Sequence, residues 1–81
     1  MNAEKDQITE VIDAKNLLCP LPVLKLRKAL KKLKSGQLIE IMTTDPVAAI
    51  DIPHFCTQEG HELVKTIDNG SSHSFIIKHQ G

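Results

Sequence analysis

The 81 residues carry no net charge, with 41% hydrophobic and 25% charged side chains, which is typical of one globular domain over residues 1–81. No apolar run approaches the roughly 20 residues that cross a bilayer, and residues 1–7 lack the basic and apolar regions of a signal peptide. We therefore expect a cytoplasmic protein whose two cysteines are free thiols, with residues 1–7 as a flexible N-terminus.

The first half of the chain predicts a strand, a helix and a second strand. Residues 8–13 are rich in β-branched side chains, as strands are. Leucines and other apolar residues then recur at helical spacing until a stop at Ser35-Gly36, with Pro20 expected at the first helical position. Residues 38–42 predict the next strand.

A helix-start signal opens the second half. Asp45 is a good capping residue, and Pro46 suits the first helical turn. Pro53 would break a hydrogen bond deep inside a helix. We therefore predict one turn over residues 46–50, followed by a main helix over about 51–59.

The end of the chain predicts a hairpin. Residues 61–67 and 74–78 are the two strands, with Phe75 and Ile77 on one face, and residues 68–72 are the loop. The predicted order is β-α-β-α-β-β, with a parallel first pair of strands. This order implies an α/β two-layer sandwich, in which a four-stranded mixed sheet has two helices on one face.

Cys19 is the candidate functional residue because it lies where the first strand gives way to the first helix. A helix N-terminus carries roughly half a positive charge, and cysteines placed there have pKa values lowered to roughly 3.5–7.5. Pro20 and Pro22 stiffen this segment and fix the direction of the Cys19 side chain. The sequence thus predicts an exposed, nucleophilic thiolate. No histidine is near it in sequence, so no Cys–His base is expected.

Basic residues are concentrated on the first predicted helix. Residues 15–34 hold seven Lys and Arg and no acid, whereas residues 1–14 sum to −3 and residues 35–81 to −4. Such a face either keeps the helix in water or docks acidic partner surfaces. Direct tRNA contact is not expected, because aromatic side chains for base stacking are absent. The candidate docking residues are Lys25, Arg27, Lys28, Lys31 and Lys32.

The remaining polar residues have plainer explanations. Cys56 lies beside Phe55 and is expected to pack in the core, although a resolving-thiol role stays open. The spacing of His54, Cys56 and His61 matches no usual zinc pattern, so neither metal nor cofactor is predicted. Asp45 and Asp51 are interpreted as helix caps, which can also shape the surface beside the first helix.

Two segments carry a family resemblance. Cys19-Pro20-Leu21-Pro22 resembles the Cys-Pro-x-Pro motif of the TusA (SirA-like) sulfur-carrier family. Asp45-Pro46, with residues 51–56 and 61–63, is similar to the TusA branch, and the likeness spans residues 13–77. Asn16 stands where the family usually has glycine, and Asn also tolerates the left-handed conformation. The family fold, a two-layer α/β sandwich, agrees with the predicted order.

The resemblance implies a function for Cys19. It would accept sulfane sulfur as a persulfide from a cysteine desulfurase and relay it to an acceptor protein, as a sulfurtransferase component without a cofactor. In the TusA branch this sulfur ends in 2-thiolation of the tRNA wobble uridine. Such a carrier is expected to be a monomer. Alternatives are a regulatory or RNA-binding module using the basic helix 25–34, and a thiol redox protein, against which the absence of Cys-x-x-Cys argues.

Overall fold

The protein is described by a computed structural model, which covers residues 8–80. The prediction of a flexible N-terminus over residues 1–7 falls outside that range. The elements are β1 (Ile8–Ala14), α1 (Leu21–Leu30), β2 (Leu38–Thr43), α2 (Pro46–Glu59), β3 (Glu62–Asp68) and β4 (His73–Lys78). This is the predicted β-α-β-α-β-β order.

The four strands form one mixed sheet in the order β1-β2-β4-β3. β1 pairs with β2 in parallel, with Ile12 opposite Ile41. β4 runs antiparallel to both of its neighbours, and Phe75 lies opposite Ile41 on β2 and Thr66 on β3. The predicted parallel first pair and antiparallel final hairpin are therefore confirmed.

Both helices pack on one face of this sheet, as predicted for a two-layer sandwich. Ile39 and Ile41 on β2, with Phe75 and Ile77 on β4, form the sheet side of the core. The helix side is a set of buried residues from α1 and α2, namely Leu26, Ala29, Leu30, Ile52, Phe55 and Cys56. Phe75 and Ile77 share the core face, which confirms the period-2 prediction for the last strand.

The first helix is shorter than predicted. It ends at Leu30, and the chain then tightens through hydrogen bonds from the Lys32 N–H to Ala29 and from the Leu33 N–H to Leu30. Such three-residue bonds satisfy carbonyls that a helix end leaves free. Leu33 remains buried, so the apolar spacing predicted burial correctly while overestimating the helix length.

The second helix is longer than predicted, because it runs through Pro53 without a break. A proline inside a helix costs about 3 kcal/mol. Ala48, Ile52 and Phe55 lie on both sides of Pro53 along the helix and are buried, so a break there would disturb their packing. The predicted separation of residues 46–50 from a main helix at 51–59 is wrong for this reason. Neither helix within residues 8–80 has the length and apolar character required to cross a membrane.

Candidate functional site

The loops after β1 and β2 meet at one edge of the sheet, because parallel strands end on the same side. The backbone N–H of Asn16 donates to Thr44 Oγ1 at 2.9 Å and ties the two loops together. Asn16 has φ 69°, which confirms the left-handed conformation expected of it. This hydrogen bond holds the segment between β1 and α1 close to the start of α2.

Cys19 lies in this segment, immediately before α1. Pro20 is the N-cap residue of α1, so its predicted place at the first helical position is wrong by one residue. The Cys19–Pro20 peptide bond is cis, and the Leu21 N–H donates to the Leu18 carbonyl at 2.9 Å. Pro22 lies in the first turn of α1, as predicted, and is buried. The prolines thus fix the backbone on the helix side of Cys19.

Two carboxylates from the second helix region bind Cys19. Asp45 Oδ2 accepts the Cys19 backbone N–H at 2.6 Å, while its Oδ1 accepts the Val47 N–H at 3.1 Å and caps α2. Asp51 Oδ2 accepts the Cys19 S–H at 2.9 Å. Cys19 is therefore held between its own turn and the first turns of α2, and its side chain is only partly exposed.

These carboxylates reverse the predicted chemistry of the free thiol. The hydrogen bond to Asp51, partial desolvation and the charges of Asp51 and Asp45 raise the pKa of Cys19 above its usual value of 9.0. A nearby negative charge disfavours a thiolate. The prediction of an exposed thiolate with a lowered pKa is therefore wrong. In this conformation Cys19 is a protonated, hydrogen-bonded thiol at neutral pH.

Exposed apolar side chains adjoin Cys19 and its partners. Leu18 and Leu21 flank the Cys19–Pro20 pair, and Ile50 directly precedes Asp51; Leu18 is 71% exposed and Ile50 is 72% exposed. Leu24 lies one helical turn after Leu21 on α1, Val47 lies one turn before Ile50 on α2, and both are exposed. We call these five residues the apolar collar. Large exposed apolar side chains grouped in this way are typical of a surface that contacts another molecule.

An open groove of about 180 Å³ lies between α1 and α2. Asp51 and Pro20 form its end nearest Cys19. Arg27 also lines the groove, with its guanidinium 5.4 Å from the centre of the Phe55 ring. His54 also lines this groove, but the Cys19 thiol donates its hydrogen bond to Asp51 and not to a histidine.

The predicted basic residues border two grooves. A groove against β1 is bordered by Lys25, Lys28 and Lys32. Glu10 and Asp13 also line this groove. Arg27 and Lys31 border a different groove against α2. The five residues thus border two different grooves. Their role in docking stays a prediction.

Other residues singled out by the sequence fall into structural positions. Cys56 is 1% exposed and packs in the core, as predicted, and burial raises its pKa to about 11. No three His, Cys, Asp or Glu side chains within residues 8–80 are grouped to hold a metal. His61 instead accepts the Gln80 N–H at Nδ1, at 3.1 Å.

Asp51 is the site residue that sequence reasoning misinterpreted. It lies inside α2 and caps nothing, whereas Asp45 does cap α2 as predicted. Thirty-two positions separate Asp51 from Cys19, so no local pattern links them. The available signal was topological, because the predicted parallel pairing of β1 and β2 already places the starts of both helices at one sheet edge.

Comparison with known proteins agrees with the Cys-Pro-x-Pro motif and the fold. The family model described as Sulfurtransferase TusA matches residues 10–79. The sulfur carrier protein TusA of Allochromatium vinosum is 39% identical over 67 residues, covering 83% of this chain and 88% of that protein. The putative sulfur carrier protein YrkI of Bacillus subtilis is 38% identical, covering 85% and 92%.

A solved structure shows the same architecture. The SirA-like protein of Desulfitobacterium hafniense superposes with a TM-score of 0.79 and covers 90% of this chain and all of that chain. Its 19% identity supports the fold alone. The match over residues 10–79 and the 39% identity to a TusA protein establish that this chain belongs to the TusA family.

Proposed function

We propose that this protein is a sulfur carrier that accepts sulfane sulfur as a persulfide on Cys19 and relays it to another protein. The donor is a cysteine desulfurase, and the protein acts as the sulfurtransferase component of a relay in the cytoplasm. The relatives named as sulfur carriers and the Cys19-Pro20-Leu21-Pro22 motif support this proposal.

The observation that carries the proposal is the contrast between the two cysteines. Cys19 is partly exposed at the edge of the apolar collar, whereas Cys56 is buried. A sulfur that passes between proteins must be reachable by a second sulfur, because transfer is attack on a sulfur–sulfur bond. Cys19 alone meets that condition in this conformation.

The transfer step needs only two sulfur centres. Cys19 loses its proton and attacks the terminal sulfur of the donor persulfide. A new bond forms between Cys19 Sγ and that sulfur, while the donor's own sulfur–sulfur bond breaks. The donor cysteine leaves as a thiolate and takes up a proton. No net oxidation or reduction occurs, so no cofactor is needed.

The surface around Cys19 supports docking of a protein partner. The apolar collar lies on the Cys19 segment and on the first turns of α1 and α2, and interface centres are richer in apolar residues than the rest of a surface. The groove lined by Pro20 and Asp51 is open to a short segment that carries the donor cysteine. The basic residues of α1 would guide the approach of an acidic partner.

Incubation with a cysteine desulfurase and cysteine tests the proposal by intact-mass spectrometry. We expect a gain of about 32 Da, one sulfur atom, on Cys19, reversed by a reducing agent. Cys19→Ser should gain nothing, and Cys56→Ala should be loaded like the wild type. Loading of Cys19→Ser, or no gain on the wild type with an active desulfurase, would overturn the carrier proposal.

The proposed end point is 2-thiolation of the tRNA wobble uridine, reached through a downstream acceptor protein by a monomeric carrier. Loss of the gene should reduce 2-thiouridine in tRNA, and the wild-type gene but not Cys19→Ser should restore it. Direct tRNA binding is not part of the proposal. Phe55 and Phe75 are buried and are not available to stack on bases.

A further inference from the structure

Asp51 makes the one side-chain hydrogen bond to the Cys19 sulfur within residues 8–80. Its Oδ2 lies 2.9 Å from Sγ and accepts a hydrogen bond from the thiol. Asp45 adds a second carboxylate beside the same residue, through the backbone N–H of Cys19. The reactive sulfur of a carrier is thus placed against two negative groups, where a positive group would be expected to activate it.

We propose that Asp51 limits how strongly Cys19 retains sulfur: its carboxylate binds the empty thiol and repels the charged persulfide. This inference rests on the proposed carrier function and adds a residue that controls the balance between loading and discharge. Asp51 contacts the reacting atom itself, so its effect on transfer is direct.

The empty and the loaded Cys19 differ in the hydrogen bond that they can donate to Asp51. In the empty carrier Sγ bears a hydrogen that Asp51 accepts. In the loaded carrier Sγ is bonded to a second sulfur and has no hydrogen to donate. The terminal sulfur then carries the negative charge, close to two carboxylates that disfavour it. On discharge an acceptor thiolate bonds to the terminal sulfur, the Sγ–sulfur bond breaks, and Cys19 leaves as a thiolate that takes a proton from water and restores the hydrogen bond.

Nothing among residues 8–80 neutralises Asp51 by an ion pair, since the one salt bridge there joins His73 and Asp68. Arg27 lines the same groove, but its guanidinium lies over the Phe55 ring. A cation on the docked donor would pair with Asp51 and remove the electrostatic penalty that its carboxylate places on the Cys19 thiolate. Departure of that partner would restore the penalty and favour delivery to the next protein.

Asp51→Asn in a Cys56→Ala background tests this inference, because Cys19 is then the only thiol. The first readout is the pH profile of Cys19 alkylation by iodoacetamide, which reports the thiolate. We expect the midpoint to fall by roughly one pH unit, since one like charge has been removed. The second readout is the equilibrium constant for loading from a persulfide donor, which should rise roughly tenfold, the equivalent of one pKa unit.

Asp68→Asn is the control with the same change of charge, because Asp68 accepts the Gly70 N–H and pairs with His73 but makes no hydrogen bond to Cys19. It should change neither readout. Asp51→Ser provides a second variant without the charge, should the asparagine fold poorly. An unchanged alkylation midpoint in both Asp51 variants, or a lower loaded fraction, would overturn the inference. Failure of the wild type to load at all would overturn the carrier proposal, while the alkylation profile would still test the Asp51 contact.

Discussion

The Asp45 carboxylate joins Cys19 to the second helix across 26 positions of sequence, through a 2.6 Å hydrogen bond to the Cys19 backbone N–H. The other oxygen of the same carboxylate caps α2 by accepting the Val47 N–H. One side chain therefore starts a helix and holds the loop that carries the reactive sulfur. The geometry of the site depends on the stability of the helix start.

Asp45→Ala should destabilise the fold and loosen Cys19 together. Loss of an N-cap costs about 0.5–2 kcal/mol, and the lost bond to Cys19 adds to this. We expect a drop of about 1–3 kcal/mol in the free energy of unfolding measured with urea, from the cap and a charge-assisted bond together. Sulfur loading at Cys19 should also slow.

Asp45→Asn separates the two effects. Its amide oxygen can still cap α2, but the amide nitrogen cannot accept the Cys19 N–H. Stability should then be closer to the wild type than in Asp45→Ala, while loading stays slow. Equal stability losses in both variants would show that the cap contributes little and would contradict this division.

The fold could be predicted from the sequence because its signals are local. The β-branched run at residues 8–13, the helical spacing after Cys19 and the 68–72 loop each follow from neighbouring residues. The helix ends were less predictable. Whether α2 crosses Pro53 depends on burial against the sheet, which no neighbouring residue reports.

The electrostatics of the site could not be predicted in the same way. Neighbouring sequence reveals only the helix that follows Cys19, with its N-terminal dipole and lysines, and these favour a thiolate. The fold adds Asp51 at 2.9 Å from the sulfur. A full charge in direct contact outweighs the partial charge of a helix end and distant, solvent-screened lysines. Tertiary contacts therefore decided the protonation state of Cys19.

Ile50 should matter for transfer and not for folding. It is 72% exposed and belongs to the apolar collar. Ile50→Ser should leave the free energy of unfolding within about 0.5 kcal/mol of the wild type, as is usual for surface substitutions. The concentration of desulfurase needed for half-maximal loading of Cys19 should rise.

Val11→Ser is a matched control for the collar. Val11 is 56% exposed on the edge strand β1, away from the loop that holds Cys19. It should alter neither stability nor loading appreciably. If Val11→Ser and Ile50→Ser weakened loading equally, the apolar collar would not be the docking surface.

Cys56 should make the protein less stable as the pH rises above about 9. Burial raises its pKa from 9.0 to about 11 in the folded state, so the folded chain keeps the proton longer than the unfolded chain. The resulting stability is present in full below pH 9.0 and is lost as the pH approaches about 11. Urea unfolding at pH 8, 9, 10 and 11 measures the loss.

Cys19 has a raised pKa as well and contributes in the same direction. The comparison is therefore made between Cys19→Ser and the double variant Cys19→Ser/Cys56→Ala. Lysines titrate in the same range, but they do so equally in both proteins. The double variant should lose less stability between pH 9 and pH 11. Identical slopes would mean that the Cys56 thiol is not shielded from water.

Position 16 should tolerate glycine better than a β-branched residue such as valine. Its φ of 69° is left-handed, a region that costs most L-residues about 1–2 kcal/mol and glycine nothing. Asn16→Gly should therefore unfold within about 0.5 kcal/mol of the wild type and load sulfur normally, whereas Asn16→Val should lose about 1–2 kcal/mol. The Asn16 N–H that holds Thr44 is a backbone group and survives both changes. A difference between the variants thus reports backbone conformation, and equal stability would show that the loop does not require the left-handed residue.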